Sequence, residues 1–167
     1  MRYIILLYNK YIGFEFLIKK IVINEKMVKL QINDFSGQKK FSSIINAYYK
    51  GANGIILVYD VTEESSFNAL NNWLTIIKDK APQANIVLVG QKCDLNERVI
   101  SEDKIKELTE QFGIEYFETS AKIDYNINEV FDNLIQQCMY NNYWSKSLTT
   151  HGKGTENENE DNGNEDR

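Results

Sequence analysis

Cysteine is scarce in this chain: Cys93 and Cys138 are the only two among 167 residues. They stand far apart, fit no zinc spacing, and fall in segments read below as a strand end and a helix face, so they are expected as two reduced, buried thiols. No apolar run approaches the ~18 to 20 residues that cross a bilayer. The apolar stretch from Tyr3 to Tyr8 lacks a plausible signal-peptide cleavage site, which points to a soluble protein of the cytoplasm. Positive charge is in short supply as well, with 19 Lys and Arg against 24 Asp and Glu. A chain-wide basic field that binds nucleic acid by counterion release is therefore absent, and no nucleic-acid partner is expected. No internal repeat is visible.

What is present suits one globular domain, since 43% of residues are hydrophobic and 26% charged. One segment departs from that composition. From His151 to Arg167 there is no Leu, Ile, Val or aromatic residue, while Glu156, Glu158, Glu160, Asp161, Glu165 and Asp166 outnumber Lys153 and Arg167. The sequence is accordingly divided into a domain over 1–145 and a disordered acidic tail over 146–167.

Within the domain, strand-like and helix-like patterns alternate. Phe14 to Asn24 and Lys26 to Asp34 are rich in Ile, Val and Leu around Glu25, which predicts an antiparallel hairpin. From Phe41, apolar residues at Ile44, Ile45, Tyr48 and Tyr49 predict a helix. Gly54 to Tyr59 and Asn85 to Val89 are short continuous apolar runs, the mark of parallel strands buried on both faces. Between them Phe67, Leu70, Leu74 and Ile77 have helical spacing, with Pro82 just beyond. Ser101 opens a further helix that Gly113 closes, Ile114 to Thr119 forms the next strand, and Ile127, Val130, Phe131, Leu134, Ile135 and Cys138 line a final helix. This alternation predicts an α/β layer fold whose ligands bind beyond the carboxyl ends of the strands.

Three segments at such ends carry polar chemistry. In Asp34-Phe35-Ser36-Gly37-Gln38 the Asp can hold a metal-bound water, the Gly can offer an N–H to a phosphate, and the Gln can orient a water. A polar turn with a glycine explains the same residues. In Gln91-Lys92-Cys93-Asp94 the carboxylate can accept two N–H bonds from a guanine edge, and the lysine stem can lie over a base. In Glu118-Thr119-Ser120-Ala121-Lys122 small residues let the backbone approach a ring oxygen. Solvated loops and a plain strand-to-helix connection are the structural alternatives.

In this order and spacing the three segments resemble a small GTPase of the Ras superfamily, and within it the Rab family. Similar wording runs through Ile12-Gly13-Phe14-Glu15-Phe16, Lys29-Leu30-Gln31-Ile32, Tyr48-Tyr49-Lys50-Gly51-Ala52, Leu57 to Thr62, and Ser66-Phe67 with Trp73. The resemblance implies a P-loop-NTPase-like open sheet, mostly parallel with one antiparallel hairpin strand and helices on both faces. It implies GTP or GDP with Mg²⁺, and a GTP-hydrolysis switch in vesicle-mediated transport. By that resemblance Asp34 holds Mg²⁺ through water, Gly37 contacts the γ-phosphate and Gln38 positions the hydrolytic water. Asp94 reads guanine beside Gln91, Lys92 packs on the ring, and Ser120, Ala121 and Lys122 complete the base pocket. Ile12 to Phe16 and Phe41 to Tyr49 form the surface for protein effectors and regulators.

Four departures accompany the resemblance. The sequence contains no Gly-x-x-x-x-Gly-Lys-Ser/Thr, so the phosphate-cradling loop and the family's first helix are missing. Losing about four charge-assisted hydrogen bonds at ~1.5 to 3 kcal/mol each removes roughly 6 to 12 kcal/mol, or ~10⁴- to 10⁸-fold in nucleotide affinity. Tyr11 stands where the family ligates Mg²⁺ with Thr, and Gln91 replaces the Asn of the guanine motif. The chain ends Asn164-Glu165-Asp166-Arg167 without a prenylatable cysteine, so no direct lipid anchor is expected and recruitment to endomembranes goes through a protein partner. Two origins fit these departures: a degenerate Rab-like protein, or a gene product whose phosphate-loop exon is absent from this sequence. Two functions do as well: the hydrolytic switch, and a nucleotide-independent pseudo-GTPase interaction module. The first strand, beside the second hairpin strand, has to reach the start of the hairpin across two strand spacings, roughly 9.6 Å, which the short Asn9 to Gly13 segment spans when extended.

Overall fold

A strand buried along its whole length has to be central, and Gly54–Asp60 is buried at every position. In the computed structural model, which describes residues 2–7, 14–23, 25–36, 49 and 51–150, it forms β4 of a six-stranded sheet. The strands are β1 (Arg2–Leu7), β2 (Phe14–Ile23), β3 (Lys26–Ser36), β4, β5 (Asn85–Gln91) and β6 (Glu115–Thr119). Four helices follow β4 in the chain: α1 (Glu64–Asn68), α2 (Leu70–Lys80), α3 (Glu102–Phe112) and α4 (Ile127–Thr150).

The sheet order is β2-β3-β1-β4-β5-β6. Among these strands only the β2–β3 hairpin is antiparallel; β1 runs parallel to both β3 and β4, and β5 and β6 continue in the same sense. This is the open, mostly parallel sheet with one hairpin strand that the sequence predicts. The residues between β1 and β2 lie outside those described. Reversal of strand order at β1 puts the natural ligand crevice beside its carboxyl end, between β3 and β4.

Alternation along β4 supplies both layers. Ile55, Leu57 and Tyr59 face Leu70, Leu74 and Ile77 of α2 and Ile105 and Leu108 of α3. Ile56 and Val58 face Val130, Leu134, Ile135 and Cys138 of α4, together with Leu30 of β3 and Val87 and Val89 of β5. Helices thus cover both faces. The αL conformation of Gly113 (φ 62°, ψ 46°) ends α3 with its N–H returned to Glu110 and Thr109 carbonyls, the role its sequence position suggests.

Three details differ from the sequence reading. β3 continues through Ser36, because β1 pairs with it as far as Leu7↔Ser36, so Asp34 lies inside the strand and not in the turn after it. Cys138 is buried, with its thiol near the Asn53 carbonyl at 3.1 Å, but Cys93 is only half-buried in the loop beyond β5. Helix α4 extends to Thr150, past the 145 boundary drawn from composition. The expected helix from Phe41 lies outside the described residues apart from Tyr49, as do 151–167 of the acidic tail. None of the described helices is long and apolar enough to cross a membrane.

Candidate functional site

The carboxyl ends of β4, β5 and β6 deliver three polar loops to one rim of the sheet. β5 ends at Gln91, in register with Asp60 of β4 and Thr119 of β6. Lys92 then adopts a left-handed backbone (φ 66°), which turns the chain sharply; the Leu95 N–H closes the turn on the Lys92 carbonyl at 3.0 Å. The Cys93 N–H donates to the Thr119 carbonyl at 3.1 Å, so this loop is sewn to the end of β6.

That stitch brings Asp94 to Ser120. The buried Ser120 hydroxyl donates to Asp94 Oδ1 at 2.5 Å, while Lys122 Nζ stands 3.8 Å from Oδ2. Ser120 is itself fixed by a two-bond bridge with Tyr125, and Asn126, in left-handed conformation, donates its side-chain amide to the Glu118 carbonyl at 3.0 Å. The 118–126 loop is therefore a closed turn whose Ser120 holds the Asp94 carboxylate of the neighbouring loop in place, largely shielded from solvent. With one oxygen oriented by Ser120, the carboxylate suits a pair of parallel N–H donors, which is the edge guanine offers. Ala121 and Lys122 are exposed beside it.

Lys92 is exposed, but its ammonium is engaged. Its ammonium pairs with Asp60 Oδ2, while the Thr62 N–H and hydroxyl donate to Oδ1 at 2.9 and 2.7 Å. Burial pushes the Asp60 carboxyl up, but the bonds from Lys92 and Thr62 outweigh it and hold the group below the usual carboxylate range.

On the α4 side of the sheet, Asp34 stands at the wall of a groove of about 190 Å³ otherwise lined largely by apolar side chains, among them Ile56, Val58, Val89, Val130 and Phe131. Gln91 shares its rim. Burial, with Glu15 directly opposite on β2, raises the Asp34 pKa. Among the described residues no three His, Cys, Asp or Glu side chains cluster as metal ligands. Asp34 is the one carboxylate among the described residues that line this groove.

The structure brings Gln91, Lys92, Asp94, Ser120, Ala121 and Lys122 together at one rim; Asp34 stands three strands away on β3 but lines the same groove as Gln91. Gly37 and Gln38 lie outside the described residues, as do Ile12, Gly13 and the stretch from Phe41 through Tyr48. Of the expected effector surface, Glu15 and Phe16 are exposed and Tyr49 is buried.

Sequence reasoning gave no role to Asp60, Arg98, Tyr59 or Tyr116, and it used Glu118 only as the start of a loop. Arg98 grips Glu118 through two bonds, Tyr116 Oη donates to the same carboxylate at 3.1 Å, and Tyr59 and Tyr116 hydroxyls meet at 3.0 Å. Asp60 carried one readable signal, an acid at the end of a wholly buried strand. The Arg98–Glu118 contact spans two loops and left none.

Polar loops gathered at the carboxyl rim of a mostly parallel sheet define an α/β protein of the kind that binds its ligands at that rim. The sequence profile of the Ras family matches residues 6–140. Rab-3 of Caenorhabditis elegans is 46% identical over 127 residues, which cover 75% of this chain and 58% of that protein. Rab-3C of Bos taurus is 48% identical over 126 residues (74% and 56%), and Rab-3A of Homo sapiens 44% over 126 (74% and 57%). The chain belongs to the Ras family, as a Rab-like member of the small GTPases. It spans somewhat over half the length of these relatives.

Proposed function

We propose that the protein is a Rab-like guanine-nucleotide switch of vesicle-mediated transport whose hold on nucleotide is weakened. The observation that carries the reading is the Asp94 carboxylate, set by Ser120 at 2.5 Å between two mutually bonded loops. Asp94 accepts the guanine N–H pair, Ser120 completes the pocket by holding that carboxylate, Ala121 and Lys122 supply backbone donors to the ring oxygen, and Gln91 and the Lys92 stem flank the base. Asp34 holds Mg²⁺ through water, Gly37 meets the γ-phosphate and Gln38 orients the hydrolytic water; these assignments rest on the family resemblance. Mg²⁺ would supply charge neutralisation along the phosphates. Weakness follows because the sequence has no Gly-x-x-x-x-Gly-Lys-Ser/Thr to cradle those phosphates. Partners engage Ile12 to Phe16 and the stretch from Phe41 up to the buried Tyr49, and a partner protein carries the chain to endomembranes.

Turnover of GTP by the purified chain, lost in Gln38→Leu, is the expected result; turnover unchanged in that variant removes Gln38 from the site. A second reading, a nucleotide-independent interaction module, is favoured by the Lys92–Asp60 ion pair, which engages the base-stacking lysine within the protein. Under it, partner capture is the same in GDP, GTP or EDTA. A strict GTP requirement excludes it.

A further inference from the structure

β2 ends the sheet. It pairs with β3 on one side only, so among the described residues the N–H and C=O groups along its outer edge have no strand partner. Residues 15–20 are all exposed, with Phe16 at 50%, Leu17 at 57% and Ile18 at 45%. Charges blunt many such edges. Here the charges are Glu15, Lys19 and Lys20, and their spacing bears on which partner strand can pair.

We infer that β2 is a self-association edge, on which a second copy of this chain adds its own β2 antiparallel across a two-fold axis. In such a pairing the face of the sheet is preserved only if residues on the same side of the pleat lie opposite one another, so each residue meets one of its own parity. A register centred on Lys19 or Lys20 sets a lysine against itself. One centred on Ile18 places Lys19 against Leu17 and Lys20 against Phe16, with no charge pair. Centring on Leu17 places Glu15 opposite Lys19 of the second copy, and by symmetry Lys19 opposite its Glu15.

The same register sets Phe16 against Ile18 twice on the other face and Leu17 against Leu17 at the axis. Phe16, Leu17 and Ile18 are all covered, while Val22 lies beyond the paired stretch. Within one chain Glu15 and Lys19 lie about 13 Å apart along an extended strand and cannot satisfy each other. Among the described residues no ion pair to either is found. A two-fold contact closes on itself, which limits growth to a dimer with one continuous sheet.

The test is sedimentation of the 167-residue chain over a range of concentrations. The expected result is a monomer–dimer equilibrium, weakened about tenfold or more by Glu15→Lys alone and by Lys19→Glu alone. Mixing the two single variants restores association, because the substituted side chains then face each other with opposite charge, and the Lys19 retained in one copy faces the Glu15 retained in the other. The double swap in one chain restores it likewise. A failure of one variant to fold is distinguished by the double swap, which keeps the same composition. A chain that stays monomeric, forms open polymers, or dimerises without regard to these reversals overturns the inference.

Discussion

Arg98 and Glu118 are joined by two hydrogen bonds, 2.5 and 2.6 Å long, although they stand 20 positions apart with all of α3 between them. The guanidinium closes off the loop that begins at Lys92, and the carboxylate opens the loop that holds Ser120. The pair therefore clamps together the two segments between which Asp94 is held. Both partners retain some solvent contact, so the clamp contributes position more than stability.

Arg98→Ala is expected to lower stability by about 1 kcal/mol, read from urea unfolding. Its pH signature is more specific. Bonding to Arg98, ahead of the opposing burial, holds the Glu118 carboxyl below its usual range. A folded-state pKa that is depressed gives stability present above the unfolded carboxylate value and lost as pH falls through the folded one. The variant should accordingly lose less stability than the parent as pH falls through that acid window.

Asp34→Asn should stabilise the fold near neutral pH. Burial and the facing Glu15 raise the Asp34 pKa, so the folded state binds its proton more readily than the unfolded chain. Stability from this group therefore declines as pH rises from the ordinary carboxylate value through the raised one, and an amide removes that decline. Thermal unfolding checks it: a higher Tm for the variant above this window, converging with the parent below it.

Gly90 of β5 leaves no room for a side chain. A Cβ there would stand 2.5 Å from Tyr116 Oη, 3.0 Å from Tyr59 Oη and 3.1 Å from Val61 Cγ1. Gly90→Ala is expected to cost ~1 to 3 kcal/mol through overpacking. Tyr116→Phe removes the nearest of those atoms. The double variant should then cost less than the two singles summed, measured as a coupling energy in urea.

The fold was legible because its signals are local. Continuous apolar runs announced β4 and β5, helical spacing announced α2 and α4, and Gly113 announced the end of α3. The end of β3 was not, since Asp34 to Ser36 are held extended by pairing with β1, a contact remote in sequence. At the site, Asp94 and Ser120 were readable as types in motifs, but their 2.5 Å bond was not. Asp60 and Arg98 escaped because each acts only through a partner that folding supplies, Lys92 in one case and Glu118 in the other. A charged residue in a loop looks the same in sequence whether water or a carboxylate receives it.

The central claim is guanine recognition by Asp94, and its most direct test is an NMR titration of backbone amides with GDP and with ADP at concentrations that reveal weak binding. The account predicts shifts at the 91–95 and 118–126 loops, an affinity for GDP at least about tenfold above that for ADP, and loss of the preference in Asp94→Ala. Equal affinities for the two nucleotides, or no binding of either, would contradict it.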